Sequence, residues 1–141
     1  MNQIISLYLD MKNALVNNDG ITVKMKANKL YHIFSTNPCK GLDSDQGAFL
    51  ADHLGDLMDN CLPICYTTDK SEQKPWFARL SRVLFDVIKG LKVNTLTIYC
   101  QYCSINNAYW LSETQVIKNP YYTYKDWATT GKTTETLAAN K

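Results

Sequence analysis

The sequence predicts a mainly α-helical fold, an up-and-down four-helix bundle with a C-terminal tyrosine-rich segment of irregular and short-strand structure packed on it. Up to residue 91, apolar side chains recur at helical spacing in four stretches that are separated by turn signals. From Val93 onward the spacing changes from a period of 3.6 to a period of 2, which is typical of a half-buried strand. Six of the nine tyrosines lie from Tyr99 onward, so aromatic side chains are concentrated in this second part.

Two helices are predicted in the first 36 residues. The first spans roughly residues 3–18 and stops at the run Asn17-Asn18-Asp19-Gly20. Its apolar stripe consists of Ile4, Leu7, Tyr8, Met11, Ala14 and Leu15. The second helix spans roughly residues 22–36 and ends at Asn37-Pro38, because the residue before a proline avoids the helical conformation.

Two further helices are predicted between residues 43 and 91. Asp43 or Ser44 can cap the third helix, and Pro63 kinks or ends it. The fourth helix starts after Ser71 with Pro75 in its first turn, and Gly90 is its predicted stop signal. Its amphipathic stripe is the clearest in the chain and consists of Phe77, Leu80, Leu84, Val87, Ile88 and Leu91.

The chain length of 141 residues suits one domain with one core. We expect this domain to cover residues 1–131, with the helical bundle over 3–91 and a strand and extended segment over 93–131. Residues 132–141 are polar and threonine-rich, and we expect them to form a flexible tail.

The charge balance argues against a nucleic-acid partner. The formal net charge is +2, and only Arg79 and Arg82 supply guanidinium groups. No apolar run approaches the ~20 residues of a membrane span, so we expect no transmembrane segment. Composition is compatible with a cytoplasmic protein or with a protein whose leader has been removed.

Cys100 and Cys103 form a C-x-x-C pair, a spacing that serves redox chemistry or a metal site in other proteins. On a continuous strand, residues three apart point to opposite faces, so the two thiols diverge unless the chain turns at Tyr102. The alternation predicts that Cys100 is buried and that Cys103 lies on the wetter face. We favour core packing for these thiols, with a metal or redox pair and a disulfide to another cysteine as alternatives. Cys61 and Cys65, four residues apart, are also expected to pack in the core.

No catalytic constellation is recognisable in the sequence. His32 and His53 are the only histidines, and neither has a partner at metal-ligand spacing apart from the aspartates that flank His53. Glycine-rich phosphate loops, nucleophile elbows and zinc-protease helices are all missing. We therefore expect a protein that is not an enzyme and has no catalytic residues.

The C-terminal half resembles the bacterial domain of unknown function family 3347. The motif residues that carry this resemblance are Tyr102, Cys103, Trp110, Leu111, Ser112, Asn119, Pro120, Tyr121, Tyr122 and Gly131. Upstream, the opening around Tyr8 and Lys12 and the Phe77-Ala78-x-Leu80-Ser81 run look like helices of the same family. Within this scaffold we expect Trp110 to be a large buried anchor, and the side-chain amide of Asn119 to bind backbone groups of an extended turn.

The resemblance implies an exported, periplasmic or otherwise extracytoplasmic domain, alone or attached to adaptors of heavy-metal efflux systems. The usual family motifs, Tyr-Cys-Pro-Met and Met-Leu-x-Cys-Gly, would offer two cysteines and two methionines to a soft ion such as Cu(I). In this chain Cys103 matches the first cysteine, but Ser104 and Ile105 replace the proline and methionine, and Thr130 stands near the second cysteine position. Copper is thus a possible cofactor, and the site is expected to be degenerate.

The sequence accordingly predicts a non-enzymatic exported binding or docking domain of copper-efflux type. Its partners would be efflux-system or other envelope proteins, and a lipid anchor on a longer precursor is compatible with this expectation. One alternative is a functional Cu(I) or Zn(II) site built from Cys103 and Cys100. A second alternative is a helical bundle that binds a small ligand or peptide in a tyrosine-lined groove under the C-terminal segment.

Overall fold

The computed structural model describes residues 1–122 and 130–140, and over these it is mainly helical with a small antiparallel sheet at the C-terminal end. The α-helices are α1 (Asn2–Val16), α2 (Gly20–Thr36), α3 (Ser44–Cys61) and α4 (Lys70–Leu91), with a 3₁₀ helix (Leu62–Tyr66) between α3 and α4. The strands are β1 (Ile98–Cys103), β2 (Ala108–Ser112) and β3 (Lys132–Leu137). The predicted succession of four helices followed by strand structure is confirmed.

Side-chain caps fix the starts of three helices. The Asp43 carboxylate accepts from the Gln46 backbone N–H, and the Gln46 side chain accepts from the Asp43 N–H, which completes a capping box on α3. The Asp19 carboxylate caps α2 and the Asp69 carboxylate caps α4, each by accepting a hydrogen bond from a backbone N–H group of the first turn. The predicted cap at Asp43 is confirmed, and Pro63 lies inside the 3₁₀ helix that follows α3.

The predicted stop signal at Gly90 is wrong, because Gly90 is an interior residue of α4. A Cβ atom at this position would lie 2.3 Å from Cζ of Phe49, so glycine here permits close packing of α3 on α4. The helix ends one residue later, and Lys92 takes the left-handed conformation (φ 56°) that terminates it.

One hydrophobic core joins the helices to the sheet. The helix α1 packs against α2, α3 packs against α4, and the strand β2 contacts both α4 and α1. The largest buried side chains include Tyr8, Phe34, Phe77 and Trp110. None of the helices in the described part of the chain has the length and apolar character that crossing a bilayer requires.

The sheet has the strand order β2-β1-β3, and both pairs are antiparallel. The predicted flexible tail is therefore wrong for residues 132–137, which form β3 against β1. A bulge lies opposite the Cys100–Gln101 step, and Thr134 is the extra residue on β3. The Thr134 hydroxyl donates to the Cys100 carbonyl at 3.2 Å, so this irregularity is itself held by a hydrogen bond.

Candidate functional site

The two thiols of the C-x-x-C pair lie on opposite faces of β1. The pairing of β1 with β2 is continuous, with Cys100 opposite Leu111 and Cys103 opposite Ala108. Because consecutive strand residues alternate between faces, Cys100 faces the α4 side, whereas Cys103 shares the other face with Gln101 and Trp110. A site that used both sulfurs would require a rearrangement of this strand.

Both faces of β1 are covered, which overturns the prediction that Cys103 lies on a wet face. Cys103 and Gln101 are each 0% exposed. The Gln101 side-chain amide donates to the Thr114 carbonyl at 3.0 Å, so the segment after β2 folds back over this face of the sheet. Alternating polarity in the sequence could not reveal a second covering layer that comes from an irregular segment.

The Cys103 thiol hydrogen-bonds to a side chain of the β1–β2 turn. Its Sγ donates to Oδ1 of Asn106 at 3.2 Å. The next residue, Asn107, has a φ of 48°, a left-handed conformation that asparagine tolerates well, and its Oδ1 accepts from the Tyr102 hydroxyl at 2.7 Å. Ser104 and Ile105 are exposed in this turn.

Cys100 lies at the edge of a cavity of about 280 Å³ between α4 and the sheet. The cavity is lined by Arg82, Phe85, Asp86, Cys100, Tyr109, Thr134 and Glu135. The guanidinium of Arg82 lies 4.9 Å from the centre of the Tyr109 ring, and Lys89 pairs with Glu135 at 2.8 Å. Burial raises the pKa of the Cys100 thiol, so this thiol is neutral near pH 7. The mixture of charged, aromatic and sulfur groups can hold a small molecule, whereas it offers no activated nucleophile.

The aromatic part of the motif fastens the segment after β2 to the sheet. Trp110 is 0% exposed, and its ring makes an edge contact with Tyr121 at a centroid distance of 6.0 Å. A Cβ atom on Gly131 would lie 2.7 Å from Cη2 of Trp110, so glycine allows the chain to pass directly over the indole. The Tyr121 hydroxyl donates to the Tyr109 carbonyl at 2.5 Å. Trp110 is thus fully buried, and it contacts Tyr121 and Gly131 of the returning segment.

Asn119 organises the extended turn of the Asn-Pro-Tyr-Tyr block. Its Oδ1 accepts from the Tyr121 backbone N–H at 2.8 Å, and its Nδ2 donates to the Thr130 carbonyl at 3.2 Å. Both contacts are the backbone interactions expected of this amide. Pro120 is buried and Tyr122 is half-buried. Trp127, Ala128 and Thr129 lie outside the described residues.

Two polar residues of α1 connect the helices to β2, and the sequence reasoning missed both connections. The Tyr8 hydroxyl accepts from the Leu111 backbone N–H at 2.9 Å and lies 2.6 Å from Oγ of Ser81 on α4. One turn later, Lys12 is 1% exposed and its Nζ lies 2.5 Å from Oε1 of Glu113. The available signal was the position of Lys12, which falls on the apolar stripe between Tyr8 and Leu15.

Burial and mutual contact shift the pKa values of both Lys12 and Glu113. Burial lowers the pKa of Lys12, and the Glu113 carboxylate opposes this shift. Burial also acts to raise the pKa of Glu113. The hydrogen bonds of this carboxylate to Lys12 and Asn13, together with the Lys12 charge, outweigh the effect of burial, so the net pKa of Glu113 is lowered. The pair therefore holds a charged lysine inside the protein where β2 ends.

Cys61 and Cys65 lie at the junction of α3 and the 3₁₀ helix, and each thiol donates to a backbone carbonyl. The Cys61 Sγ is 3.5 Å from the Ala27 carbonyl, and the Cys65 Sγ is 3.5 Å from the Cys61 carbonyl. The neighbouring Cys65 thiol and burial raise the pKa of Cys61. The neighbouring Cys61 thiol, with the Lys24 charge, lowers the pKa of Cys65 against the effect of burial.

Over residues 1–122 and 130–140, no group of three or more histidine, cysteine and carboxylate side chains is arranged to hold a metal ion. His53 is turned towards its own helix, where Nδ1 lies 2.9 Å from the Phe49 carbonyl. His32 is exposed on α2.

Comparison with known protein families gives a match to an uncharacterised family. The model of the family described as "Protein of unknown function (DUF3347)" matches residues 4–95, which is more than half of the chain. The matched residues cover the four helices and stop before β1, so the motif residues from Tyr102 onward lie outside the match. No curated protein and no solved structure matches the chain.

Proposed function

This chain belongs to the family described as "Protein of unknown function (DUF3347)", and on that premise we propose that it is a non-enzymatic, exported binding or docking domain of heavy-metal efflux type. In this proposal the four helices form an up-and-down bundle that serves as the scaffold. Envelope or efflux proteins are its partners, and its C-terminal metal motif is degenerate. The proposal starts from the family match. The geometry of Cys100 and Cys103 supports its claim that the metal motif is degenerate.

The observation that carries the proposal is the divergence of Cys100 and Cys103. Two thiolates can share a soft ion only when their sulfurs face a common point, and β1 directs these two to opposite faces of the sheet. The Cys103 sulfur is also committed to the hydrogen bond with Asn106. These features favour a scaffold role for the C-x-x-C segment over a carrier role.

Anaerobic Cu(I) titration of the reduced protein against a competing chelator tests this statement. We expect Cys103→Ser and Cys100→Ser to give the same binding curve as the wild type, because neither sulfur is placed to share a metal. Cys39→Ser, at a half-buried thiol on the α2–α3 connection, is the matched control for removing one sulfur. Stoichiometric binding that Cys103→Ser abolishes would contradict the proposal and support the Cys103/Cys100 metal site instead.

The exported location has its own test. Fractionation of the producing cells, followed by immunodetection of this chain, is expected to place it in the envelope or extracellular fraction. Co-purification with an efflux-system protein from that fraction would support the docking role. Detection of the chain only in the cytoplasmic fraction would contradict the proposal.

A second candidate function is the binding of a small ligand, and the cavity between α4 and the sheet specifically favours it. The cavity lies beneath the bulged strand β3, close to where a groove under the C-terminal segment was predicted. Screening a metabolite library by thermal shift, with Arg82→Ala beside the wild type, tests this function. Ligands that stabilise the wild type but not the variant would support it. A screen without such ligands would count against it.

A further inference from the structure

The cavity between α4 and the sheet contains two opposite charges that do not pair with each other. Arg82 and Asp86 both line this cavity, and they stand four residues apart on α4. Opposite charges at this spacing are neighbours on a helix surface and often form an ion pair. In the part of the chain that the structure describes, neither Arg82 nor Asp86 takes part in an ion pair. The cavity therefore presents a cationic group and an anionic group side by side.

The contact of Arg82 with Tyr109 explains why this guanidinium is directed away from Asp86. The guanidinium carbon of Arg82 lies over the Tyr109 ring, 4.9 Å from its centre. Such a cation–π contact uses the flat face of the guanidinium and leaves the N–H donors at its edge for another partner. Two of these donors match the two oxygens of a carboxylate. Arg82 is thus placed to receive a carboxylate from a ligand.

The charges of the lining favour a ligand that carries both signs over a simple anion or a simple cation. Glu135 is the other carboxylate of the lining, and it already pairs with Lys89 at 2.8 Å. Arg82 and Asp86 are the two lining charges that remain without an ion-pair partner among the described residues. A ligand with one carboxylate and one ammonium group complements both, whereas a ligand with a single charge complements only one of them.

The volume and the remaining lining indicate a small ligand with an apolar part. The cavity of about 280 Å³ is near the lower end of the range for small-molecule sites. The rings of Phe85 and Tyr109 are half-buried, and Cys100 is 4% exposed. These side chains supply apolar surface beside the two charges.

We propose that this cavity binds a small zwitterion of the α-amino-acid class with an apolar side chain. Its carboxylate binds the Arg82 guanidinium, its ammonium group binds the Asp86 carboxylate, and its side chain contacts Phe85 and Tyr109. The inference rests on the second candidate function, the binding of a small ligand in this cavity, and it specifies the ligand class.

Calorimetric titration of the full chain with L-leucine, L-valine and L-phenylalanine tests the ligand class. Two analogues of leucine are titrated beside them: 3-methylbutylamine, which has no carboxylate, and 4-methylpentanoate, which has no ammonium group. We expect at least one of the amino acids to bind with a stoichiometry of one, and both single-charge analogues to bind at least about tenfold more weakly, because each loses a charge-assisted contact. Absence of binding by all three amino acids would overturn the inference, as would single-charge analogues that bind as tightly as leucine.

Variants of the two charged residues test the location of the site. Arg82 and Asp86 are exposed, so the substitutions leave the core intact. We expect Arg82→Gln and Asp86→Asn each to weaken amino-acid binding about tenfold or more. Arg79→Gln is the matched control, because Arg79 also lies over an aromatic ring of α4, that of Trp76 at 4.7 Å, but does not line this cavity. Equal losses in Arg79→Gln and Arg82→Gln would overturn the inference.

The metabolite screen distinguishes failure of this inference from failure of the candidate function. A ligand from that screen that requires Arg82 but is not a zwitterion would defeat the inference and leave the small-ligand function standing. If neither the amino acids nor the screen yields a ligand, both are defeated.

Discussion

The Tyr8 hydroxyl and the Leu111 backbone N–H are joined by a buried hydrogen bond of 2.9 Å across 103 positions of the chain. The Ser81 hydroxyl donates to the Phe77 carbonyl at 2.7 Å, so the Tyr8 O–H is left to donate to Ser81 Oγ and its oxygen to accept from Leu111. The Tyr8 ring also stacks on Phe77 with centroids 4.8 Å apart. One phenol thus connects α1, α4 and β2, and burial raises its pKa.

Tyr8→Phe should destabilise the protein by about 1–3 kcal/mol, because it keeps the ring but leaves the buried Leu111 N–H without a partner. Urea unfolding followed by circular dichroism measures the change. Tyr31→Phe is the matched control, since Tyr31 is half-buried and its hydroxyl has no hydrogen bond to the described residues; its cost should stay within ~0.5 kcal/mol. Equal costs for the two variants would show that the Tyr8 hydroxyl does not hold the sheet.

Glu113→Gln should destabilise the protein because it leaves the buried Lys12 charge without its carboxylate. Breaking a fully buried pair costs roughly 3–5 kcal/mol; Glu113 is 35% exposed, so we expect about 1–3 kcal/mol. Asp10→Asn, which breaks the more exposed Lys26–Asp10 pair, is the control and should cost under ~1 kcal/mol. A double-mutant cycle with Lys12→Met that shows no coupling would contradict this account.

The shifted pKa values of Lys12 and Glu113 should make the stability of the protein depend on pH. The folded pKa of Glu113 lies below its ordinary value of 4.5, so its stabilising contribution is complete above pH 4.5 and is lost as the pH falls through the lower folded value. The folded pKa of Lys12 is also lowered, so stability should rise as the pH increases from that value towards 10.5. Unfolding free energies measured at acid pH should decline less in Glu113→Gln than in the wild type. Parallel declines would contradict the role of Glu113.

Trp110→Ala should cost about 3–5 kcal/mol, because the indole is fully buried between the sheet and the segment that returns over it. Chemical denaturation provides the measurement. Fluorescence of the remaining tryptophans gives an independent report of the same transition. A loss under ~1 kcal/mol would mean that the returning segment is only loosely attached to the sheet.

Gly131→Ala should destabilise the protein by about 1–3 kcal/mol, because the added Cβ would lie 2.7 Å from the Trp110 ring, which is packed on all sides. Gly55→Ala is the contrasting variant. Gly55 is an exposed residue of α3 with no atom within 4 Å of an added Cβ, so alanine there should stabilise the protein by ~0.5–1 kcal/mol. Thermal unfolding compares them, and a neutral Gly131→Ala would refute the close approach.

The helices were predictable because their signals are local. Asp43 caps α3 as its sequence position indicates, and the apolar stripe of α4 is buried. Gly90 misled the prediction, since glycine at the end of a helix and glycine under a neighbouring aromatic ring look identical in the sequence. The difference depends on Phe49, which lies 41 positions away.

The C-terminal part was less predictable because its features depend on distant pairing. Residues 132–137 are polar and look like a tail, and only the open edge of β1 makes them a strand. Likewise, burial of Cys103 depends on the segment that returns over the sheet. The opposite orientation of Cys100 and Cys103, in contrast, followed from strand alternation alone and is confirmed by the β1–β2 register.

The most direct test of the central claim, that the C-x-x-C pair does not form the metal site of this domain, is the chelator-competed Cu(I) titration of the wild type and Cys103→Ser. Superimposable curves are expected, because the Cys103 sulfur is buried, hydrogen-bonds to Asn106 of the hairpin turn and faces away from Cys100. Tight, stoichiometric binding by the wild type that Cys103→Ser abolishes would contradict it. That result would make the chain a copper carrier despite its altered motif.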